Sequence, residues 1–410
     1  MTNLTSEHTR RLLADRLSKA ADALPTPPSP PAYVVDLDAF DANADDLARR
    51  AAGTPIRVAS KSLRVPALIH RALAHPGFAG VLAYNLYECL WLLDQGICDD
   101  LMMGYPVTEP GALSALLAHP TATDHVTLMV DSTDQLDLID RLRGGGSQDR
   151  IVRVALDVDA SLHWRGQHLG VQRSPLFEIH DVLAVARAIS GRRGFRLVGV
   201  MTYEGQVAGL QDDLPTLAGR ARSLMIRRIK QLSIEQLDER RREIAAALDD
   251  VVEVELWNSG GSGSIESSST PPVTEVTAGS GLLVSGIFDH YASFEPRPAA
   301  FFGLRVCRRP GPDVVVVSGG GLIASGPPGK DRQPIPWAPP GLHLTGREGA
   351  GEVQTPLVGK GAARLSLGDW VWFRHAKAGE IAEHTNVAHL LSGAEIVETV
   401  PTYRGLAQQW

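Results

Sequence analysis

Lys61 stands in RVASKSLRVPALIHRALA, where a short apolar run ends and a helical pattern begins. Lysine is a poor residue for the end of a buried strand. Half enclosed at a strand's C-terminal end, its amine loses its proton more readily and can form a Schiff base with a carbonyl. The plainer alternative is a rim lysine that snorkels to water. A second stretch, NSGGSGS, runs through Asn258, Ser259, Gly260, Gly261, Ser262, Gly263 and Ser264 at the end of another apolar run. Successive glycines and serines present backbone N–H groups and hydroxyls that cradle a phosphate; otherwise they make a flexible linker.

Other residues fall at predicted strand ends: Tyr84, Asn85, Tyr105, Asp131, Asp157, Asp159 and the run Tyr203-Glu204-Gly205-Gln206. Asp157 and Asp159 alternate, which puts both on one face of a strand; this is a paired-carboxylate site or a cap on a turn. His375, in WFRHAKAG, is a candidate for acid/base work or for contact with a substrate carboxylate, or else a surface or interface histidine. Tyr291, in FDHY, is an acid/base candidate or an interface tyrosine.

The elements that must position these residues begin at Pro31. Eight β-rich runs are expected, at AYVVDL (Ala32), IRVAS (Ile56), GVLAY (Gly80), LMMGY (Leu101), HVTLMVD (His125), RIVRVALDVD (Arg150), LVGVMTYEG (Leu197) and VEVELWNSGG (Val252). Most are near-continuous apolar runs, as in parallel strands buried on both faces. Helical patterns lie between them. TEPGALSALLA has Thr108 as a possible N-cap, SPLFEIHDVLAVARAIS has Pro175 near its first turn, and residues 210–250 suggest two charged helices. Eight such units point to an α/β fold, a (β/α)8 TIM-type barrel with its active site at the strands' C-terminal ends. A doubly wound sheet is the alternative, and no G-x-G-x-x-G follows the first run. Past residue 290, Pro and Gly rise and short β runs replace helices, which reads as a C-terminal all-β domain. The expected division is 1–30, an amphipathic helix with Leu12, Leu13 and Leu17 on one face and a Pro-rich linker; 31–290, the barrel; and 291–410, the β domain.

Composition narrows the classes. Of 410 residues, 44% are hydrophobic and 21% charged, an ordinary globular mixture. The net charge of -7 makes a nucleic-acid partner unexpected. Three cysteines without a CxxC pair argue against a disulfide framework or a zinc–thiolate site and suit a reducing compartment. No apolar run approaches the roughly 20 residues of a membrane span. The N-terminal segment has no apolar h-region and carries Glu7, Asp15 and Asp22, so it is not read as a targeting peptide. A cytoplasmic location is expected.

A Schiff-base lysine at one edge of a barrel mouth and a phosphate loop at another make a pyridoxal phosphate site. The order AYVVDLDAFDAN, RVASKSLR, MTYEGQ, WNSGGSGS, TEVTAGSG, over roughly Pro31 to His389, resembles the alanine-racemase-like (fold type III) pyridoxal phosphate enzymes. It is most similar to their D-threonine aldolase / D-serine dehydratase branch and its bacterial "amino acid aldolase or deaminase" relatives. The resemblance implies a homodimer with shared active sites. It places Lys61 on the Schiff-base lysine and Tyr203 on the tyrosine of the Y-x-G-H segment near the cofactor phosphate. Ser259 to Ser264 fall on the phosphate loop and Gly279 and Ser280 on a second phosphate-side turn. His168, in WRGQHLGV, falls nearest the arginine that meets the pyridine ring. The branch flanks its lysine with histidines, as in PHAKTHK; here Ala59 and Leu63 replace them. Its H-x-C or H-x-D metal motif maps onto His384 and Asn386, a weak pair for a divalent metal because Asn brings no charge.

The activity so implied is lyase cleavage of β-hydroxy-α-D-amino acids to glycine and an aldehyde, with a small amino acid as substrate. The alternatives are a D-serine/D-threonine dehydratase (deaminase), an amino-acid racemase and a non-catalytic pyridoxal-phosphate-binding protein. The extra β domain argues against the last.

Overall fold

The computed structural model describes residues 6–143, 150–293 and 297–410. The first five residues of the expected N-terminal segment, and 294–296 of the expected β domain, lie outside them. The strands in chain order are β1 (Ala32–Asp36), β2 (Ile56–Ala59), β3 (Phe78–Ala83), β4 (Leu101–Pro106), β5 (Val126–Val130), β6 (Val152–Asp157), β7 (Leu162–Trp164), β8 (Gln167–Leu169), β9 (Phe195–Thr202), β10 (Leu256–Ser259) and β11 (Glu275–Ala278). There follow β12 (Ala300–Gly311), β13 (Val314–Ser318), β14 (Ile335–Ala338), β15 (His343–Leu344), β16 (Gln354–Val358), β17 (Trp370–Arg374), β18 (Val387–Ser392) and β19 (Glu395–Pro401).

β2 to β6 and β9 to β11 form a closed eight-stranded barrel. All its pairings are parallel, and β11 closes on β2 with Val276 opposite Ile56. Helices follow the strands and bury their apolar faces on the outside of the barrel, as in a TIM-type fold. Met102, Met129, Ala155 and Met201 meet inside it. The unbranched thioethers fill that irregular interior, where flexible side chains adapt to the taper.

β1 corrects the strand count read from sequence. AYVVD does not enter the barrel: it pairs antiparallel with β12 and parallel with β18, at the centre of a separate nine-stranded mixed sheet. All five of its residues are buried. A central strand covered on both faces carries the same continuous apolar run as a barrel strand. The true eighth barrel strand is Glu275–Ala278, too short and too polar in its first residues to stand out. NSGGSGS therefore follows the seventh barrel strand, not the eighth.

The N-terminal helix, Glu7–Asp22, packs on this second sheet. Ser6 caps it by accepting from the Thr9 N–H at 3.2 Å. It buries Ala14, Leu17, Ala20 and Ala21 against Trp337 and Trp372, whereas Leu12 is 57% exposed and not on the buried face. Small alanines let the helix lie close to the indoles.

Three helix expectations shift. Pro110–Ala118 is capped by the Glu109 carboxylate, which accepts from Gly111 and Ala112, not by Thr108. Ile179–Ser190 starts beyond Pro175, with Glu178 at the N-cap position but no side-chain cap. Residues 217–248 form one helix of 32 residues, not two, because its one glycine, Gly219, sits in the first turn and the interior is rich in good helix formers.

Candidate active site at the barrel mouth

Lys61 lies in a short 3₁₀ turn, Ser60–Ser62, directly after β2. Ser60 Oγ donates to the Leu82 carbonyl at 3.2 Å and ties that turn to β3. The lysine side chain is exposed at the mouth, its Nζ 3.3 Å from Tyr105 Oη. From behind, the β domain presses on the same turn: a Cβ at Gly379 would meet the Ser62 main chain at 2.8 Å.

One cavity joins Lys61 to the two glycine–serine turns. It is lined by Lys61, Tyr203, Gly260, Gly261, Ser262 and, across from these, Gly279 and Ser280. Gly260 takes φ +82°, which a side chain resists. Gly279 packs so tightly that a Cβ would meet the Ala59 carbonyl at 2.6 Å. The turns are fastened together, since Ser262 Oγ accepts from the Gly281 N–H at 2.9 Å.

The remaining residues of NSGGSGS hold the loop from beneath. Asn258 reaches the cavity, but its Nδ2 donates to Glu275 at 2.8 Å and Thr277 at 2.9 Å, joining β10 to β11. Ser259 and Ser264 turn away and donate to the Glu204 carboxylate at 3.0 and 2.6 Å. Gly263 leaves room for the Ala208 carbonyl and the Tyr291 ring, which a Cβ would meet at 2.5 and 2.6 Å.

Glu204 was only a strand-end residue in the sequence, yet it organises the loop. Buried to 1% exposure, its carboxylate also accepts from Ser268 and the Gly260 N–H, and it pairs with Arg241 at 3.2 Å. Arg241 comes from the long helix, where a run of charges reads as a solvated face. Nothing in that run marks it as the buried counter-charge.

Asp157, the last residue of β6, and Asp159 also line the cavity. Burial pushes the Asp157 carboxyl up to about 7; the negative charge of Asp131 adds to this and Arg173 opposes it. Burial likewise raises the Tyr203 phenol to about 12, so it remains an O–H donor at neutral pH.

Arg173 lines the cavity and His168 does not. The cation brought by the segment after β6 is thus the arginine five residues further on. His168 sits on the β7–β8 hairpin, with Nε2 2.9 Å from Asp159 Oδ2. His375 is outside the cavity. Both its ring nitrogens face carbonyls, Lys377 at 2.6 Å and Leu322 at 3.1 Å, and burial lowers its pKa. Tyr291 is buried within its own chain and donates to the Ala208 carbonyl at 2.9 Å.

His384 and Asn386 are both exposed. Among the described residues, the grouping of three His, Cys, Asp or Glu with ligand spacing is Asp159, His163 and His168, which does not include His384. The β-domain pair does not fit a divalent metal, because one imidazole and one neutral amide on an exposed turn supply too few ligands. The barrel mouth, in contrast, fits pyridoxal phosphate: an amine for its aldehyde and two backbone-lined turns for its phosphate share one cavity.

A sequence profile of the alanine racemase N-terminal domain matches residues 35–285. Comparison with curated proteins finds no match. Among solved structures, D-threonine aldolase from Filomicrobium marinum superposes with a TM-score of 0.74 at 20% identity, covering 92% of this chain and 95% of that one. D-threo-3-hydroxyaspartate dehydratase from Delftia sp. HT23 gives 0.70 at 21%, covering 92% and 97%. Alanine racemase of Clostridium difficile 630, in complex with cycloserine, gives 0.59 at 13%, covering 91% and 99%. At these identities the structural likeness shows a shared fold.

Proposed function

The chain belongs to the alanine racemase N-terminal-domain family, whose members are pyridoxal-phosphate enzymes, and we propose from this that it is a lyase cleaving β-hydroxy-α-D-amino acids to glycine and an aldehyde. One observation carries the reading: Lys61, the two glycine–serine turns and a carboxyl that titrates near neutrality line the same cavity. The D-β-hydroxy substrate class is taken from the aldolase and dehydratase that share the fold over more than nine-tenths of each chain.

When bound, pyridoxal phosphate supplies an aldehyde for an amine and a ring that accepts electrons from Cα. Lys61 Nζ would hold that aldehyde. The turn of Gly260, Gly261 and Ser262, facing that of Gly279 and Ser280, would hold the phosphate, and Tyr203 packs its ring beside Gly261. Asp157, in its carboxylate form, takes the proton from the substrate β-hydroxyl oxygen as the Cα–Cβ bond breaks. It does the work of the lysine-flanking histidines that Ala59 and Leu63 replace. Arg173, whose charge opposes the rise in Asp157, keeps that carboxyl in a useful range. We further propose that the chain works as a homodimer and in the cytoplasm; among the described residues no helix is long and apolar enough to cross a membrane.

The test is to incubate the cofactor-loaded protein with D-threonine and identify products. Glycine and acetaldehyde are expected. 2-Oxobutanoate and ammonia would replace the aldolase reading by the dehydratase one. Inversion at Cα without cleavage would replace both by a racemase.

A further inference from the structure

The segment between Asp157 and Arg173 carries more than the cavity uses. β7 and β8 form a two-stranded antiparallel hairpin turning at Arg165 and Gly166, both with positive φ (51° and 77°). Its register sets His163 directly opposite His168, so both imidazoles leave the same face. Their ring centroids are 4.6 Å apart. Below them stands Asp159, 4% exposed. Its Oδ1 accepts from the Ser161 N–H at 2.9 Å and the Ser161 hydroxyl at 2.6 Å. Its Oδ2 is left facing His168 Nε2 at 2.9 Å. One ligand atom of each residue lies within 4.8 Å of the others.

We propose that Asp159, His163 and His168 bind a divalent transition-metal ion of the zinc class at the rim of the barrel mouth. Two imidazoles and one carboxylate suit Zn²⁺ or Co²⁺ and not Mg²⁺ or Ca²⁺, which take oxygen ligands. Ligands of one tetrahedral zinc, each at about 2.0–2.2 Å, stand roughly 3.4 Å apart. The Asp159–His168 spacing of 2.9 Å is near that, and His163 offers a ring nitrogen within 4.8 Å of both. A simple ion pair accounts for Asp159 and His168, and stacking on Phe177 holds a second imidazole beside them.

The site is braced as ligand shells are. Ser161 orients the carboxylate. From the long helix, Gln236 Oε1 accepts from the His163 N–H at 3.0 Å and its Nε2 donates to the His163 carbonyl at 3.1 Å. Arg240 donates to the Asp159 carbonyl at 2.9 Å and to the Phe177 carbonyl at 2.6 Å. The Phe177 ring stacks on His163 with centroids 3.5 Å apart. Three protein ligands leave a fourth position open. Asp159 itself lines the catalytic cavity, so an ion held there borders the substrate space. This position is separate from the β-domain pair at His384.

The experiment reads metal and not turnover, so its outcome is independent of the lyase proposal. Full-length protein is stripped with chelator, titrated with Zn²⁺ alone and, in parallel, loaded with Co²⁺ for its visible spectrum. One tight equivalent is expected, with intense tetrahedral cobalt bands. His163→Ala, an exposed change that leaves the core intact, and His168→Ala should each weaken zinc at least tenfold, while His384→Ala should bind as wild type. Absence of a tight equivalent in the wild-type protein, full affinity in either hairpin variant, or loss in His384→Ala would each overturn the proposal.

Discussion

Asp157 is the side chain whose protonation state decides most at the mouth. Its carboxyl is raised to about 7 by burial first, by Asp131 next, against the pull of Arg173. It is a base above that pH and an acid below it. Under the lyase reading, kcat/KM for D-threonine should rise with pH through about 7 and level off. Asp157→Asn should lose that limb and about 10²- to 10⁴-fold in rate; an unchanged profile would remove Asp157 from the chemistry. The same shift affects stability. The folded state holds the proton more tightly than the unfolded chain, so the Asp157 contribution to stability falls as pH rises from the ordinary aspartate value to about 7 and is flat above it. Asp157→Asn should lack that decline in urea titrations. Lys61→Ala should abolish the visible absorption of the covalently held cofactor, and a covalent adduct surviving at another lysine would refute its role.

The loop after β10 shows how an element can be shaped by a residue outside it. Glu204 gathers Ser259, Ser264, Ser268 and the Gly260 N–H, and Arg241 balances its charge in a site where neither side chain is more than 2% exposed. Removing one partner of such a pair leaves the other charge buried and uncompensated. Arg241→Met should therefore lower stability by about 3–5 kcal/mol, seen as an earlier urea midpoint. Gly261→Asp tests the loop's proposed work, because it adds a negative charge and a side chain crowding Ala208 and Tyr203 to a loop proposed to hold a phosphate. Affinity for pyridoxal phosphate, followed by fluorescence, should fall more than tenfold; no change would reduce NSGGSGS to a connector.

At the scale of the molecule, the second sheet is the wall against which the lysine turn is set. Besides Gly379 behind Ser62, Arg64 pairs with Glu383 at 2.6 Å, and the Tyr403 hydroxyl donates to the buried Glu88 at 2.8 Å. Glu88 also accepts from the Tyr84 N–H at 3.0 Å, so it ties β3, the helix after it and the C-terminal segment together. Tyr403→Phe strips a donor from a fully buried carboxyl and should cost about 1–3 kcal/mol; a melt unchanged from wild type would show that the two parts are not joined there. Light scattering should give twice the chain mass if the proposed homodimer forms.

The closed barrel and the following β-rich part were legible in the residues, and local composition marked Lys61 at a strand end and the glycine–serine run after Asn258 as candidates; Gly279 and Ser280 were pointed to only by the family resemblance. The place of AYVVD was not legible, since a run buried on both faces looks the same in either sheet. Nor were the parts of Glu204, Arg241 and Arg173, whose surroundings come from segments remote in sequence. The placement of His375 also waited for the fold: its nitrogens meet carbonyls of Leu322 and Lys377 only after the β domain has closed. Sequence by itself determined which groups could do chemistry; burial and charge, which depend on every neighbouring segment at once, decided in the tertiary structure which of them face one cavity.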